Sequence, residues 1–125
     1  MNKLNLLKWT GYAVSVNDWL GPGKNRLHAL KKYKEFVKNM AWTFKAGCRE
    51  RFCKMGVRIT MTVGPLMDHH NLLKPICDAL EQAGIIDNDR NIGKTVMEEP
   101  QRHEQGEVDI IEVEIIGGWP MEEKG

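Results

Sequence analysis

Seven consecutive residues in the middle of the chain, from Asp68 to Lys74, combine several side chains that can bind ions. They supply a carboxylate, two imidazoles, an amide and an amine, in the order Asp-His-His-Asn-Leu-Leu-Lys. A second acidic cluster, Asp87-Asn88-Asp89, follows about one helix later. Oxygen and nitrogen ligands from two loops suit a divalent cation, and a nearby lysine can meet the charge of a phosphate. The spacing therefore predicts a metal-dependent site that cleaves phosphodiesters. The alternative is a polar loop that caps a helix, because loops rich in Asp and Asn are common.

The elements on either side of this segment would hold it on a rigid support. Between residues 57 and 63, Val, Ile, Met and Val alternate with Arg, Thr and Thr, which predicts a strand that ends at Gly64. A helix is predicted over residues 72–83, with Gly84 as its stop. Asn71, Lys74 and Asp78 follow one another at three and four residues, so they share one side of that helix. This alignment places Lys74 above the loop from which Asp68 and His70 emerge.

A second helix, over residues 27–46, has one apolar and one basic side. The apolar side is formed by Leu30, Tyr33, Val37, Met40, Ala41 and Phe44. The other side carries Lys31, Lys34, Lys38 and Lys45, with Trp42 among them. A basic stripe with one aromatic residue is typical of a surface that follows a nucleic-acid backbone. A solvated lysine face is the alternative, and an exposed Trp42 could equally mark a dimer contact.

The rest of the chain is predicted to form strands and loops. Strands are expected over residues 4–16, with an interruption at Gly11, and over residues 94–99 and 108–116. In the last of these, Val108 and Ile110 are out of phase with the alternation, which is consistent with a bulge or with burial on both sides. Loops are expected over residues 17–25 and 100–106. Trp19, in the first loop, is interpreted as a plug over the core rather than as a contact for a partner. Residues 117–125 are predicted to be a frayed, flexible tail.

Length and composition indicate one ordinary globular domain spanning residues 1–125. The chain is 42% hydrophobic and 28% charged, as in soluble proteins generally. No apolar run approaches the roughly 20 residues that a membrane-spanning helix needs. Residues 1–8 lack the apolar region of a signal peptide. We therefore expect no membrane partner.

Charge is distributed unevenly along the chain although the net charge is only +1. Between Lys24 and Arg58 there are eleven Lys and Arg residues against two acids, whereas from Ile59 onwards there are five bases against fourteen acids. This asymmetry suggests one surface that attracts a polyanion and another that holds cations. The alternative is that the charges mix once the chain folds.

The three cysteines, Cys48, Cys53 and Cys77, match neither a disulfide framework nor a structural zinc site. Their number is odd. The spacing of Cys48 and Cys53 fits no zinc finger or ribbon, even with His69 and His70 downstream. We expect them to be small apolar residues in a reducing, cytoplasmic setting.

The central segment resembles a known family. The run Asp68-x-His70-Asn71-x-x-Lys74-x-x-x-Asp78-Ala79-Leu80 is similar to the D-x-D-N-x-x-K-x-x-x-D-A-L signature of RusA-type Holliday junction resolvases. The segment over residues 83–89 resembles the family's following stretch, which ends in a paired acidic element. Ser15-x-Asn17, followed by a basic helix with Tyr33 and Val37, resembles the family's N-terminal pattern.

This resemblance implies an α+β fold, in which two main helices pack on a small mixed β-sheet. It also implies a homodimeric, magnesium-dependent endonuclease that cuts four-way DNA junctions with paired symmetric nicks in recombination and repair. No nucleotide cofactor is expected, and such proteins are often encoded by phages and prophages. Carried over to this chain, Asp68 and Asp89 would be catalytic metal carboxylates, Lys74 the catalytic lysine, and Asn71 and Asp78 supporting residues.

One position departs from the family pattern, because His70 stands where the signature has its second carboxylate. Imidazole is a poorer ligand for Mg²⁺ than for Mn²⁺ or later transition metals. His70 would therefore ligate directly and shift the preference towards Mn²⁺, or Asp87 would replace the lost carboxylate. The third outcome is a weakened site, which would leave a junction-binding protein that cuts poorly or not at all. Asn88 likewise stands where the family often has the first acid of its pair.

Overall fold

The centre of the sheet consists of two long strands whose apolar residues alternate with polar ones. β2 spans Phe52–Val63 and β5 spans Asp109–Pro120. In β2 the side chains of Val57, Ile59, Met61 and Val63 are buried, while the residues between them are largely exposed, which confirms the predicted strand.

The chain is described here from a computed structural model that covers residues 6–14 and 26–120. Trp19, Ser15 and Asn17, and the predictions made for them, lie outside these ranges.

The remaining strands extend the sheet on both sides. β1 (Leu6–Gly11), β3 (Ile92–Met97) and β4 (Gln101–Arg102) join the two central strands in the order β1-β5-β2-β3, and β4 also pairs with β2. β5 is antiparallel to β1 and β2, whereas β3 and β4 are parallel to β2. The sheet is therefore mixed, as the resemblance implied.

Two helices account for the other half of the core. α1 spans Arg26–Gly47 and α2 spans Leu73–Gln82, preceded by a 3₁₀ turn at His69–Leu72. On α1 the predicted apolar side is buried except for the half-buried Leu30, and the four lysines of the predicted basic side are exposed. The rings of Trp9 on β1 and Phe36 on α1 lie 5.0 Å apart between centroids. Sheet and helices share one apolar cluster, which confirms the predicted α+β architecture.

The connection from β2 through α2 to β3 is the part of the fold that positions the chemistry. Parallel neighbours need such a crossover. It carries the chain from the C-terminal end of β2 back along α2 to the region where Met55 pairs with Ile92. Asp68 therefore lies at the start of the crossover helix, and Asp89 lies just before β3.

Several boundaries differ from the prediction, and β3 spans Ile92–Met97 rather than residues 94–99. β1 ends at Gly11, so Tyr12 and Val14 are not in a strand despite their alternation. β5 continues to Pro120, so residues 117–120 form part of a strand rather than of the predicted tail. The extension is possible because β2 starts at Phe52, which pairs with Pro120 across two register shifts. In β5, buried side chains alternate regularly with less buried ones from Asp109 onwards, and Asp109 is buried on the same face of the strand as Ile111.

Within the described ranges, no helix has both the length and the apolar character needed to cross a membrane. The three cysteines form no disulfide. Cys48 is buried, Cys77 is half-buried and Cys53 is exposed.

Candidate active site

Asp68 is fixed at the point where the loop after β2 becomes helical. Its carboxylate Oδ1 accepts a hydrogen bond from the backbone N–H of His70 at 3.1 Å, and its carbonyl accepts one from the N–H of Asn71 at 3.0 Å. A carboxylate that caps a helical turn in this way is held in one orientation by backbone groups. The capping role that the sequence left open is therefore present, and the Asp68 side chain is exposed while it caps the turn.

Asp68, His69 and His70 form a group of potential metal ligands. One ligand atom from each residue lies within 4.8 Å of the others. The Nδ1 atom of His70 is 3.4 Å from Oδ1 of Asp68, and the two imidazole rings lie 4.1 Å apart between centroids. Opposite ligands of one ion are separated by about 4.2 Å, twice a typical metal–nitrogen distance. The three side chains thus fit a single divalent cation with small rotations.

His69 was not among the predicted ligands, yet its environment suits one. Partial burial lowers the pKa of its imidazole, and the neighbouring His70 and Arg102 lower it further. A lowered pKa keeps the ring neutral near pH 7, and the neutral imidazole is the form that ligates a metal. The adjacent pair of histidines was visible in the sequence, but which ring faces Asp68 depends on the turn.

Lys74 and Asp78 form a second group, in the first two turns of α2. The Nζ atom of Lys74 lies 3.5 Å from Oδ1 of Asp78, and the Tyr33 hydroxyl donates to Oδ2 of the same carboxylate at 2.9 Å. Burial and the adjacent Asp78 raise the pKa of Tyr33 above its usual range. Asp78 thus connects α1 to the lysine and limits where its amine can reach, as a supporting residue would. Tyr33 was predicted only as a core residue.

Asp89 lies in the turn before β3 and does not belong to the group of ligand atoms at Asp68. Burial raises the pKa of the Cys77 thiol to about 11, and the next largest cause is the charge of Asp89. The turn that contains Asp89 is also anchored near the start of β2, because the Asn91 side chain donates to the Cys53 carbonyl at 2.8 Å. Within one chain, Asp89 does not join the Asp68 group.

Asp87 is held by a different partner. Its carboxylate lies 3.1 Å from the guanidinium of Arg51, and its backbone N–H donates to the Asn91 side chain at 3.1 Å. Asn88 caps the following turn through Arg90 and Asn91. These contacts fix the second acidic loop, and they direct Asp87 to Arg51 rather than to the histidines.

A cleft of about 550 Å³ adjoins Asp68 and has a wall that the sequence did not reveal. Asp68 and Asn71 line one part of it, and His103 and Asp109 line another. Arg102 fixes the loop that leads to Asp68, because its Nη1 atom donates to the carbonyls of Gly64 at 2.9 Å and Met67 at 2.6 Å. From the sequence, Arg102 and His103 are assigned to a polar loop and Asp109 to a strand. No spacing rule marks them, because β4, which places Arg102, is only two residues long.

His103 and Asp109 form a closely packed pair in this wall. Asp109 Oδ2 accepts from the Ala13 N–H at 2.9 Å, and its Oδ1 contacts Nε2 of His103 at 2.5 Å. The Nδ1–H group of His103 donates to the Glu104 carbonyl at 2.7 Å. Both ring nitrogens therefore face acceptors, which favours the doubly protonated imidazolium. The hydrogen bond to Asp109 is accordingly the largest cause that raises the pKa of His103, and Glu104 and Glu107 add to it.

This pair predicts a specific pH dependence of stability. Because the folded-state pKa of His103 lies above 6.5, its stabilisation is complete below about pH 6.5 and is lost as the pH rises through the folded-state value. The unfolding free energy of the native chain should therefore exceed that of His103→Gln most at about pH 6, and the difference should shrink towards about pH 9. Urea unfolding of both proteins across this range checks it. Asp109→Asn should abolish the pH-dependent part, and a difference that grew with pH would contradict the assignment.

The predicted basic surface is present on α1. Lys31, Lys34, Lys38 and Lys45 are exposed, and Trp42 is 70% exposed.

A comparison with protein families matches residues 15–116 of the chain to the family described as endodeoxyribonuclease RusA. No curated protein matches the chain at a significant level. The family match covers most of the residues that form the sheet, both helices and the Asp68 loop, and it confirms the resemblance noted in the central motif. The chain therefore belongs to the RusA endodeoxyribonuclease family.

Proposed function

We propose that the protein is a metal-dependent endonuclease that resolves four-way DNA junctions. The single observation that carries the proposal is the group formed by Asp68, His69 and His70 at the edge of an open cleft, in a chain of the RusA family. A carboxylate and two imidazoles provide a donor set for a divalent cation. Such a cation, when bound, polarises a phosphate oxygen and lowers the pKa of a water molecule.

The chemistry of the donor set favours Mn²⁺ over Mg²⁺. Two of the three ligands are nitrogen atoms, and Mg²⁺ is usually bound through carboxylates and water. The lowered pKa of His69 keeps its nitrogen available near neutral pH. We therefore propose that the protein uses Mn²⁺ more readily than Mg²⁺.

Lys74 is proposed to stabilise the negative charge that develops on the phosphate during cleavage. A positioned ammonium group contributes most where water is excluded and where its location is fixed. Asp78 supplies that fixation, because its two oxygens contact the lysine amine and the Tyr33 hydroxyl. Asn71 lines the cleft next to Asp68 and would orient the DNA backbone or the loop.

We further propose a homodimer with composite sites. A four-way junction has two equivalent strands to cut, which a two-fold symmetric protein matches. Asp89 is exposed and is not among the ligand atoms grouped at Asp68 in its own chain. In the dimer, the Asp89 carboxylate of one protomer would complete the ligand group of the other. Asp87, which is paired with Arg51, would support the loop rather than ligate.

The test of this function is the cleavage of a labelled synthetic four-way junction, with a linear duplex of the same sequence as the control. We expect paired nicks in the junction alone, faster in Mn²⁺ than in Mg²⁺, and product ends that a DNA ligase can reseal. Junction binding without nicks in either metal would instead support the catalytically silent binder, the second candidate, which the loss of a carboxylate at His70 favours.

The three cysteines lead us to propose a reducing, cytoplasmic setting. All are free, and Cys53 is exposed. An exposed thiol without a partner is compatible with a compartment that keeps thiols reduced.

A further inference from the structure

A second concavity, of about 440 Å³, lies where the last turns of α1 approach the end of α2, away from the residues assigned to catalysis. Trp42 contributes an aromatic face, and Lys38, Lys45 and Arg49 surround it. Gln82, the last residue of α2, forms part of the opposite wall. Lys38, Trp42 and Lys45 follow one another at four and three residues and so project from one side of the helix. Ala46, one turn beyond the indole, leaves space beside it.

The composition of this cavity identifies the charge of its ligand. Three of the lining residues are cations, and none is an acid. Among the residues that the structure describes, the side chains of Lys38, Lys45 and Arg49 form no ion pair or hydrogen bond. Their positive charges are therefore available to an anionic ligand. A large exposed aromatic side chain within a concave surface commonly marks a binding site. The ligand should therefore have an anionic part and a flat part.

We propose that this cavity binds one unpaired nucleotide of a DNA strand, with its base stacked on Trp42 and the flanking phosphates contacted by Lys38, Lys45 and Arg49. The inference rests on the proposed function, and it adds a site for a base that has left the duplex. In a duplex both faces of a base are covered by its neighbours, so an indole inside a concavity can stack only on an unpaired base. Gln82 offers an amide that can hydrogen-bond to the base edge.

A second copy of the chain is a poorer occupant of the same surface. In a two-fold contact centred on Trp42, each residue would meet the same region of the other copy. Lys38, Lys45 and Arg49 would then face their own equivalents, and like charges brought together in an interface oppose association.

The experiment is a binding assay with a fluorescently labelled oligothymidylate of about ten nucleotides, in EDTA so that no cleavage occurs. Trp42→Ala should weaken binding about ten- to a hundredfold, which corresponds to the loss of one stacked base. Alanine is compatible with an exposed helical position, and Trp42→Phe should restore most of the affinity. Lys45→Gln should reduce the salt dependence of log Kd by about one charge.

Trp119 provides the matched control. It is exposed to a similar extent, 61%, and lies outside the Trp42 cavity, but the amine of Lys54 lies over its ring at 5.4 Å and occupies a face on which a base would stack. Trp119→Ala should leave oligothymidylate affinity unchanged. Equal affinity of Trp42→Ala and the native chain would overturn the proposal, as would conversion of a dimer to a monomer by Trp42→Ala in sedimentation analysis.

The outcome is separable from that of the proposed nuclease. A chain that binds the oligonucleotide through Trp42 but cuts no junction retains this inference and loses the nuclease assignment. A chain that cuts junctions while Trp42→Ala binds the oligonucleotide normally loses this inference alone.

Discussion

Asp68→Asn should lower the rate of junction cleavage by a factor on the order of a thousand or more and leave junction affinity intact, because a divalent cation contributes several kcal/mol to stabilising such a transition state. Asparagine removes the ligand charge but keeps an oxygen that can accept from the His70 N–H, so the capped turn should persist. Single-turnover cleavage rates and gel-shift affinities on the same labelled junction would measure the two effects.

Glu81→Gln is the matched control for charge. Glu81 is exposed on α2 and is not a member of the Asp68 group. It should cut at the native rate. An Asp68→Asn variant that cut as fast as this control would show that the carboxylate is not part of the chemistry.

Mixing two inactive variants tests the composite site. Asp68→Asn and Asp89→Asn should each be inactive alone, because each removes one acidic ligand from every site of a homodimer. After subunit exchange, the mixed dimer would contain one site with both carboxylates intact. One of the two strands should then be nicked, whereas no recovery of nicking from dimers known to have mixed would place both acids in the same protomer.

His70→Asp should raise Mg²⁺-supported cleavage about tenfold or more and reduce the advantage of Mn²⁺. The substitution exchanges a nitrogen ligand for a hard, charged oxygen, which Mg²⁺ prefers. A change of a ligand or its immediate partner commonly alters metal affinity about ten- to a hundredfold. Calorimetric titration with each metal, together with cleavage rates in each, would detect the change in preference.

His70→Asn distinguishes this effect from simple removal of the imidazole. It places an uncharged oxygen at the same position and should not raise activity in Mg²⁺. If His70→Asp left both the affinity for Mg²⁺ and the cleavage rate in Mg²⁺ unchanged, His70 would not be a metal ligand, and His69 would be the histidine that binds the metal.

Several features followed from local sequence. The alternation around Ile59 predicts a half-buried strand because successive side chains in a strand point to opposite faces. The apolar residues of α1 recur at helical spacing, so both its buried side and its exposed lysines were predictable. The motif from Asp68 to Leu80 identified the family, which the match over residues 15–116 confirms.

The positions of the two acids relative to each other did not follow from that motif. Asp68 and Asp89 come before and after the crossover helix α2, and nothing local specifies whether that helix brings them together or keeps them apart. The parallel pairing of β2 with β3 requires α2 to run back along the sheet. Asp89 does not belong to the Asp68 group within one chain, which is why we propose that a dimer completes the site.

The sequence by itself determined the chemical types at the site, the elements that carry them and the family, because these depend on spacing within single helices and strands. Tertiary structure decided which side chains meet. It joined Asp78 to Tyr33, Arg102 to the loop that leads to Asp68, and Asp109 to the Ala13 backbone. Such contacts join residues far apart in the chain, and they arise only when burial of one shared core fixes every element at once.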